Sequence, residues 1–344
     1  MDTFRALLVG AGGMGRAWGQ NLRDAPDVET VGWVDLRPEA AARAAAEQSL
    51  GDIHIGADLA AAIAATRPDF VVDVTVPEAH RDVTVAALGA GLPVLGEKPM
   101  AATLEQAREM VAASERAGQL YMVSQSRRYN RGLAALRALI AEHLGSPLGI
   151  LNSDFYLGPH FGGFRDRMDS PLLLDMAIHT LDAARYLSGA DPVAVYCEEF
   201  NPPWSWYAGN ACATAVFELT GGLRYTYRGS WCAEGQPTSW EAEWRAVGPR
   251  GSATWDGHAA PVADVVAESE QQGAFEARVE QREGVLPAAE EFGEGIAGSL
   301  RDFLRALRTG ATPMGECHDN IKSLAMVFAA IESARTGRRV PVSL

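Results

Sequence analysis

Three side chains of this 344-residue chain combine reactive chemistry with a suggestive setting. Asp175 and His179 lie in Leu172–Leu187, whose apolar residues recur at helical spacing. Residues i and i+4 leave a helix on one face, so a carboxylate and an imidazole would meet there, with Asp182 close to the same face. Such a pair can move a proton in catalysis or merely close an ion pair on a helix surface, and spacing alone leaves both open. Lys98, in Gly96-Glu97-Lys98-Pro99-Met100, directly follows the apolar run Pro93–Leu95. At the carboxyl end of a parallel strand, where open α/β sheets bind ligands, it would face a reacting group. Elsewhere it would be one more solvated lysine. A cis bond at Pro99 would aim it inward, against the trans expectation for X–Pro.

A second constellation concerns phosphate. Gly10-Ala11-Gly12-Gly13-Met14-Gly15 is a G-x-G-x-x-G between a first apolar run and a first helical stretch. The three glycines give a tight turn, close backbone approach to a pyrophosphate and close helix–strand packing. Asp35 stands at the end of the second apolar run, where an acidic residue accepts from ribose hydroxyls and repels a 2′-phosphate. Together these point to a dinucleotide rather than a structural turn or an S-adenosylmethionine site. Arg37, two residues on, can stack on adenine or pair with a phosphate, so NAD is the expected cofactor with NADP left open.

The elements that must position these groups fall into two domains, 1–125 and 126–344. Up to Val123, the short β-branched runs Ala6–Val9, Thr30–Val34, Phe70–Val74, Pro93–Leu95 and Leu120–Val123 alternate with helical stretches. These are Glu39–Gln48, Leu59–Ala65, Arg81–Ala90 and Leu104–Ala117. That is the pattern of a parallel sheet covered on both faces, a Rossmann α/β domain. After a helix over Leu133–Leu144, four runs follow without helices between them: Val193–Phe200, Ala211–Leu219, Leu223–Trp231 and Trp240–Val247. Gly221-Gly222 joins two of them as a hairpin, which predicts an α+β domain with a large open, mainly antiparallel sheet. Helices Ile296–Leu307 and Asn320–Thr336 and a strand Arg339–Val342 close the chain, and Glu268–Glu294, rich in Glu, Gln and Gly, reads as an exposed excursion.

Composition excludes several classes. A formal net charge of −14 argues against nucleic-acid binding, which needs a basic surface. No apolar run approaches membrane-spanning length. Met1-Asp2-Thr3-Phe4-Arg5 lacks a basic leader, so no signal peptide is expected and the expected compartment is the cytoplasm. Cys197, Cys212, Cys232 and Cys317 are scattered, without a CxxC pair or a His at ligand spacing, which reads as reduced, mostly buried thiols and no metal site.

In order and spacing, Gly10–Gly15, Thr75-Val76-Pro77…His80, Glu97-Lys98-Pro99 and Asp175-x-x-x-His179 resemble the Gfo/Idh/MocA oxidoreductases, over essentially the whole chain. The resemblance implies NAD- or NADP-dependent oxidation of a sugar, cyclitol or polyol hydroxyl. It makes Lys98, Asp175 and His179 a catalytic group, with His179 taking the hydroxyl proton, Lys98 holding the oxygen and Asp175 orienting both. It places Thr75, Pro77 and His80 along the cofactor crevice and Glu97 near the nicotinamide ribose. Arg127, Arg128 and Tyr129 match a basic-aromatic stretch bordering the active site, which puts Arg127 within reach of cofactor and substrate. Ser170-Pro171 departs from the glycines relatives carry before the Asp/His helix.

Two other readings compete: a retained-NAD enzyme of the same family that cleaves glycosides without net redox change, and a non-catalytic dinucleotide sensor. The sensor has no reason to keep all three reactive residues. The expected substrate is a neutral sugar, sugar derivative or inositol, met by Lys98, Arg127, Asp175, His179, Tyr156 and His160. The glycine-flanked loop Gly158–Gly163 would form one wall, with Trp204, Trp206 and Trp231 as further aromatic faces. Alternating Trp and Tyr in the second sheet suggest an apolar face needing a partner, hence a homodimer or homotetramer.

Overall fold

A computed structural model describes residues 3–267, 278–289 and 293–344. The chain divides into two compact units, Met1–Ser126 with Gly295–Ile321, and Arg127–Glu294 with Lys322–Leu344.

In the first unit the strands are β1 (Phe4–Val9), β2 (Val28–Val34), β3 (His54–Gly56), β4 (Phe70–Asp73), β5 (Val94–Glu97) and β6 (Tyr121–Ser124). They form one sheet in the order β3-β2-β1-β4-β5-β6, and every pairing is parallel. Both faces are covered, so these strands are apolar almost throughout: Ala6, Leu7, Leu8, Phe70, Val71 and Val72 are fully buried. The helices are α1 (Gly13–Asp24), α2 (Pro38–Glu47), α3 (Leu59–Thr66), α4 (Pro77–Gly89) and α5 (Leu104–Ala117). The bounds of α5 match the sequence reading because both ends are chemically marked. Thr103 accepts from the Gln106 amide, and Gly118 takes the left-handed conformation at φ 60°. Strand β3 lies outside the expected elements, because three half-buried residues carry too little pattern.

The expected boundary at 125/126 lies one residue from the observed one, but the expected second domain loses Gly295–Ile321 to the first unit. The reason is packing. Helix α8 (Gly295–Thr309) sets Phe303 against Phe70 at 5.3 Å between ring centroids, and the Ile296 carbonyl accepts from Asn21. An amphipathic helix carries no mark of which sheet it covers.

The second unit is built on nine strands: β7 (Ile150–Tyr156), β8 (Pro192–Phe200), β9 (Cys212–Leu219), β10 (Arg224–Ser230), β11 (Glu243–Gly248), β12 (Gly251–Trp255), β13 (Val262–Val266), β14 (Val279–Glu283) and β15 (Val340–Pro341). Their order is β14-β13-β12-β11-β7-β10-β9-β8-β15. All pairs are antiparallel except β7–β10, and the Gly221-Gly222 hairpin joins β9 to β10 as expected. Helix α6 (Arg131–Leu139) continues into a π-helical turn, Ile140–Leu144. A second π-helical turn, Leu172–Ala177, leads into α7 (Ile178–Ser188), and α9 (Cys317–Thr336) precedes β15. Of the expected excursion, residues 268–277 and 290–292 lie outside the described residues; between them β14 is an exposed edge strand.

Most of the aromatic residues behind the expectation of an apolar face needing a partner share one face. Tyr225, Tyr227, Trp231 and Trp244 are all buried on the core side. The opposite face is mixed: Asn152, Asp154, Thr226, Arg228 and Arg245 stand among exposed Tyr196, Phe200 and Val216. A period of two sends every second residue to the same side, and here the core side took most of the rings. No helix among the described residues is long and apolar enough to cross a membrane.

Candidate active site

In the first unit the glycine loop runs from β1 into α1. A Cβ at Gly15 would lie 2.1 Å from the Gly10 carbonyl oxygen, and one at Gly10, with φ 104°, 2.6 Å from that of Val74. These two positions require glycine. At Gly12 and Gly13 a Cβ would meet nothing within 4 Å, so open space lies over the start of α1, whose N-terminal amides have no side-chain cap. Uncapped amides under open space are a geometry that could hold a pyrophosphate. Asp35 locks it: one carboxylate oxygen accepts from the Ala11 amide at 2.7 Å and the other from the Arg37 amide at 2.8 Å. The Arg37 guanidinium is 75% exposed and stands 4.0 Å from Asp35, while Met14 is half exposed beside the loop.

At the same carboxyl end of the sheet the structure adds Asp73, the last residue of β4, which sequence reasoning missed. This fully buried carboxylate accepts from the Thr75 hydroxyl at 2.7 Å and the Thr84 hydroxyl at 3.1 Å, and pairs with His80 Nδ1 at 3.1 Å. His80 is thus a buried support of the Thr75–Pro77 loop, only 2% exposed, and not an open crevice wall. Glu97 is also buried, and burial raises its carboxyl above the usual range. It accepts from the Trp18 indole at 2.7 Å and from the Lys98 amide at 3.0 Å. Lys98 itself is half-buried at the carboxyl end of β5, and the Lys98–Pro99 bond is cis.

In the second unit Asp175 sits in the π-helical turn and His179 in the first turn of α7, so the expected uniform helix changes its winding between them. π-helical turns occur frequently at functional sites. Both residues are largely buried, the Asp175 side chain 13% exposed. Asp175 accepts from Arg165 Nε at 2.6 Å, and the Arg165 guanidinium lies over the rings of Phe164 and Phe161 at 4.7 and 5.4 Å. Sequence reasoning missed Arg165, because it lies in an irregular segment without periodicity. Asp182 does not join this group. It takes a two-pronged bond from Arg128, at 2.7 and 2.8 Å, and the Ser323 hydroxyl at 2.6 Å, all buried. Arg127 pairs with Glu241 at 3.7 Å, with burial lowering its basicity.

Of the expected aromatic wall, Trp231 is fully buried, Trp204 is 73% exposed, and Tyr156 ends β7 on the face opposite Phe155. His160 stacks on Trp206 at 3.8 Å and pairs with Glu234 at 2.8 Å. The rings that neighbour Arg165 are Phe164 and Phe161, both exposed, and Phe161 in turn stands 6.1 Å from Trp231 and 6.3 Å from Trp240. Tyr207 donates to the Pro159 carbonyl, and burial pushes its hydroxyl up to about 12. Glu199 accepts from Ser170, two residues ahead of the π-helical turn, and burial pushes it up to about 7. All four cysteines are free and buried. The expectation that none has a His at ligand spacing fails at Cys317, whose sulfur lies 3.5 Å from Nδ1 of the adjacent His318.

Residues 4–125 match the profile described as "Oxidoreductase family, NAD-binding Rossmann fold", and residues 163–344 match "Oxidoreductase family, C-terminal alpha/beta domain", the two Gfo/Idh/MocA domains. Protein y4oX of Sinorhizobium fredii is 28% identical over 99% of this chain and 96% of its own. D-apiose dehydrogenase of Paraburkholderia graminis is 29% identical over 99% of this chain and 90% of its own. Among solved structures, an oxidoreductase from Agrobacterium radiobacter, in complex with NAD+, L-tartaric acid and magnesium, superposes with a TM-score of 0.84 at 21% identity, covering 98% of both chains.

Proposed function

From the premise that the chain belongs to the Gfo/Idh/MocA oxidoreductase family, with an NAD-binding Rossmann domain, we propose that it oxidises a secondary hydroxyl of a neutral sugar, sugar derivative or inositol with NAD. The observation that carries this reading is the largely buried Asp175 carboxylate, clamped by Arg165, four residues before the buried His179. When bound, NAD supplies the hydride acceptor. Gly12, Gly13 and the uncapped amides at the start of α1 would hold its pyrophosphate, and Asp35 its adenosine ribose.

In this reading His179 is the general base for the hydroxyl proton, Lys98 stabilises charge developing on the same oxygen, and Asp175 fixes the charge and orientation of its neighbours. The ion pairs around the second-unit residues support a neutral substrate. Arg165 is matched by Asp175, Arg127 by Glu241 and His160 by Glu234. A phosphate would have to compete with Asp175 or Glu241 for the charge of these arginines. A neutral polyol needs no pair broken, and Phe161 and Trp240 offer ring faces to its C–H groups. Turnover of one sugar in its free and phosphorylated forms tests this: the free form should be the better substrate.

The proposal extends to a homodimer or homotetramer. Exposed Val193, Tyr196, Phe200 and Val216 on β8 and β9 support it. Light scattering showing only monomer at micromolar concentration would refute that part.

A further inference from the structure

Away from the glycine loop and the sheet edge at Lys98, the first unit gathers a second set of reactive groups where the chain enters α9. Gly315 and Glu316 are stitched to the edge strand β6: the Gly315 carbonyl accepts from the Val123 amide at 2.8 Å, and Glu316 bridges Met122. A Cβ at Gly315 would lie 2.4 Å from the Val123 carbonyl, so the approach is as close as glycine allows. Glu316 then caps α9, accepting the His318 amide on Oε2 at 3.0 Å. Its other oxygen, Oε1, is left pointing at two neighbours, Cys317 Sγ at 3.0 Å and His318 Nδ1 at 2.7 Å. Sulfur and Nδ1 are themselves 3.5 Å apart. The three ligand atoms all lie within 4.8 Å of one another.

We propose that Glu316 Oε1, Cys317 Sγ and His318 Nδ1 bind a zinc-class divalent transition-metal ion, with solvent in the fourth position. A tetrahedral centre with metal–sulfur and metal–nitrogen bonds of about 2.3 and 2.0–2.1 Å separates those two ligands by about 3.5 Å, which is the distance present. To reach tetrahedral spacing the carboxylate oxygen, now 3.0 Å from sulfur and 2.7 Å from Nδ1, moves outward by about 0.6–0.7 Å.

The second ring nitrogen is already treated as a metal ligand's would be: His318 Nε2 meets Glu115 Oε1 of α5 at 3.0 Å. A carboxylate on one imidazole nitrogen fixes the tautomer that leaves the other free to ligate. Thiolate plus carboxylate neutralise a divalent cation, so the positive end of the α9 dipole does not oppose the bound ion. Thiolate and imidazole select zinc-like ions over magnesium or calcium. The sulfur is buried while the His318 side chain is 51% exposed, which leaves an entry path from solvent. The ion would pin the start of α9 to β6 and α5, a structural role separate from hydride transfer.

The test is titration of chelator-treated full-length protein with Co2+, followed by thiolate-to-cobalt absorption and displaced with Zn2+. One equivalent should give the band, and zinc should abolish it. His318→Gln, a change at a half-exposed side chain that leaves the fold intact, should remove the band, as should Cys317→Ser. Glu115→Gln should weaken binding by about 10–100-fold. Cys212→Ser, which touches the other close thiol pair with Cys232 at 3.8 Å, should change nothing. No band in the wild type, a band surviving His318→Gln, or one lost in Cys212→Ser would each overturn the proposal.

Discussion

Arg165 donates to Asp175 across 2.6 Å, ten residues along the chain, with Phe161 and Phe164 packed on its guanidinium. The bond holds a carboxylate at the site proposed for catalysis in one rotamer. Arg165→Ala should therefore lower kcat on the order of 10²-fold, the cost typical of a misplaced catalytic group, while the NAD dissociation constant stays near wild type. Arg165→Lys should recover little, because a point charge does not reproduce a planar guanidinium stacked between two rings. Steady-state kinetics with a fluorescence titration of NAD separates the two readouts; equal losses in both would reduce Arg165 to a fold residue.

Lys98→Ala and His179→Ala should each cut turnover by about 10²–10⁴-fold, the range of general acid–base contributions, with NAD binding little changed. A variant within about threefold of wild type would remove that residue from the chemistry.

Asp35 accepts the Ala11 amide and, in the proposed complex, the ribose hydroxyls. Catalytic efficiency should be higher with NAD than with NADP, since a 2′-phosphate would meet a like charge. Asp35→Ser should lower efficiency with NAD on the order of 10–10²-fold, the worth of hydrogen bonds to a charged group. Higher efficiency with NADP in the wild type would reassign Arg37 to phosphate binding.

Glu199 gives a pH prediction for stability. Its folded pKa, about 7, lies above its ordinary value of 4.5 because burial disfavours the anion. The folded state therefore holds a proton that the unfolded chain releases first. Stability is favoured below the ordinary value and falls as pH rises from there through about 7. Glu199→Gln should leave the melting temperature nearly unchanged near pH 4 and raise it by a few degrees at pH 8. A rise of the same size at both pH values would contradict the assignment.

How far the sequence carried can be judged from single residues. The placement of the glycine loop, Asp35 and Lys98 at the carboxyl ends of β1, β2 and β5 was legible because the strands of a parallel α/β domain are continuous apolar runs. Helix α5 was legible to the residue because Thr103 and Gly118 mark its ends. Strand β7 and strands β12 to β14 were missed. They are short, and their polar outward positions dilute the alternation. Asp73 and Arg165 escaped because each acts on a partner through a loop, where no period exists to predict a meeting. Asp182 shares the Asp/His face by spacing, but Arg128, 54 residues earlier, takes its carboxylate. His318 stood next to Cys317 all along, but only the turn into α9 brings their ligand atoms together.

The central claim is hydride transfer from a neutral polyol to NAD. Its most direct measurement is nicotinamide absorbance during incubation of the purified protein with NAD and a panel of free sugars, sugar derivatives and cyclitols. The same panel is run in phosphorylated form and with His179→Ala. The account predicts NADH formation with a neutral member and its loss in His179→Ala. Activity confined to phosphorylated sugars or simple aliphatic alcohols, or activity undiminished in His179→Ala, would contradict it.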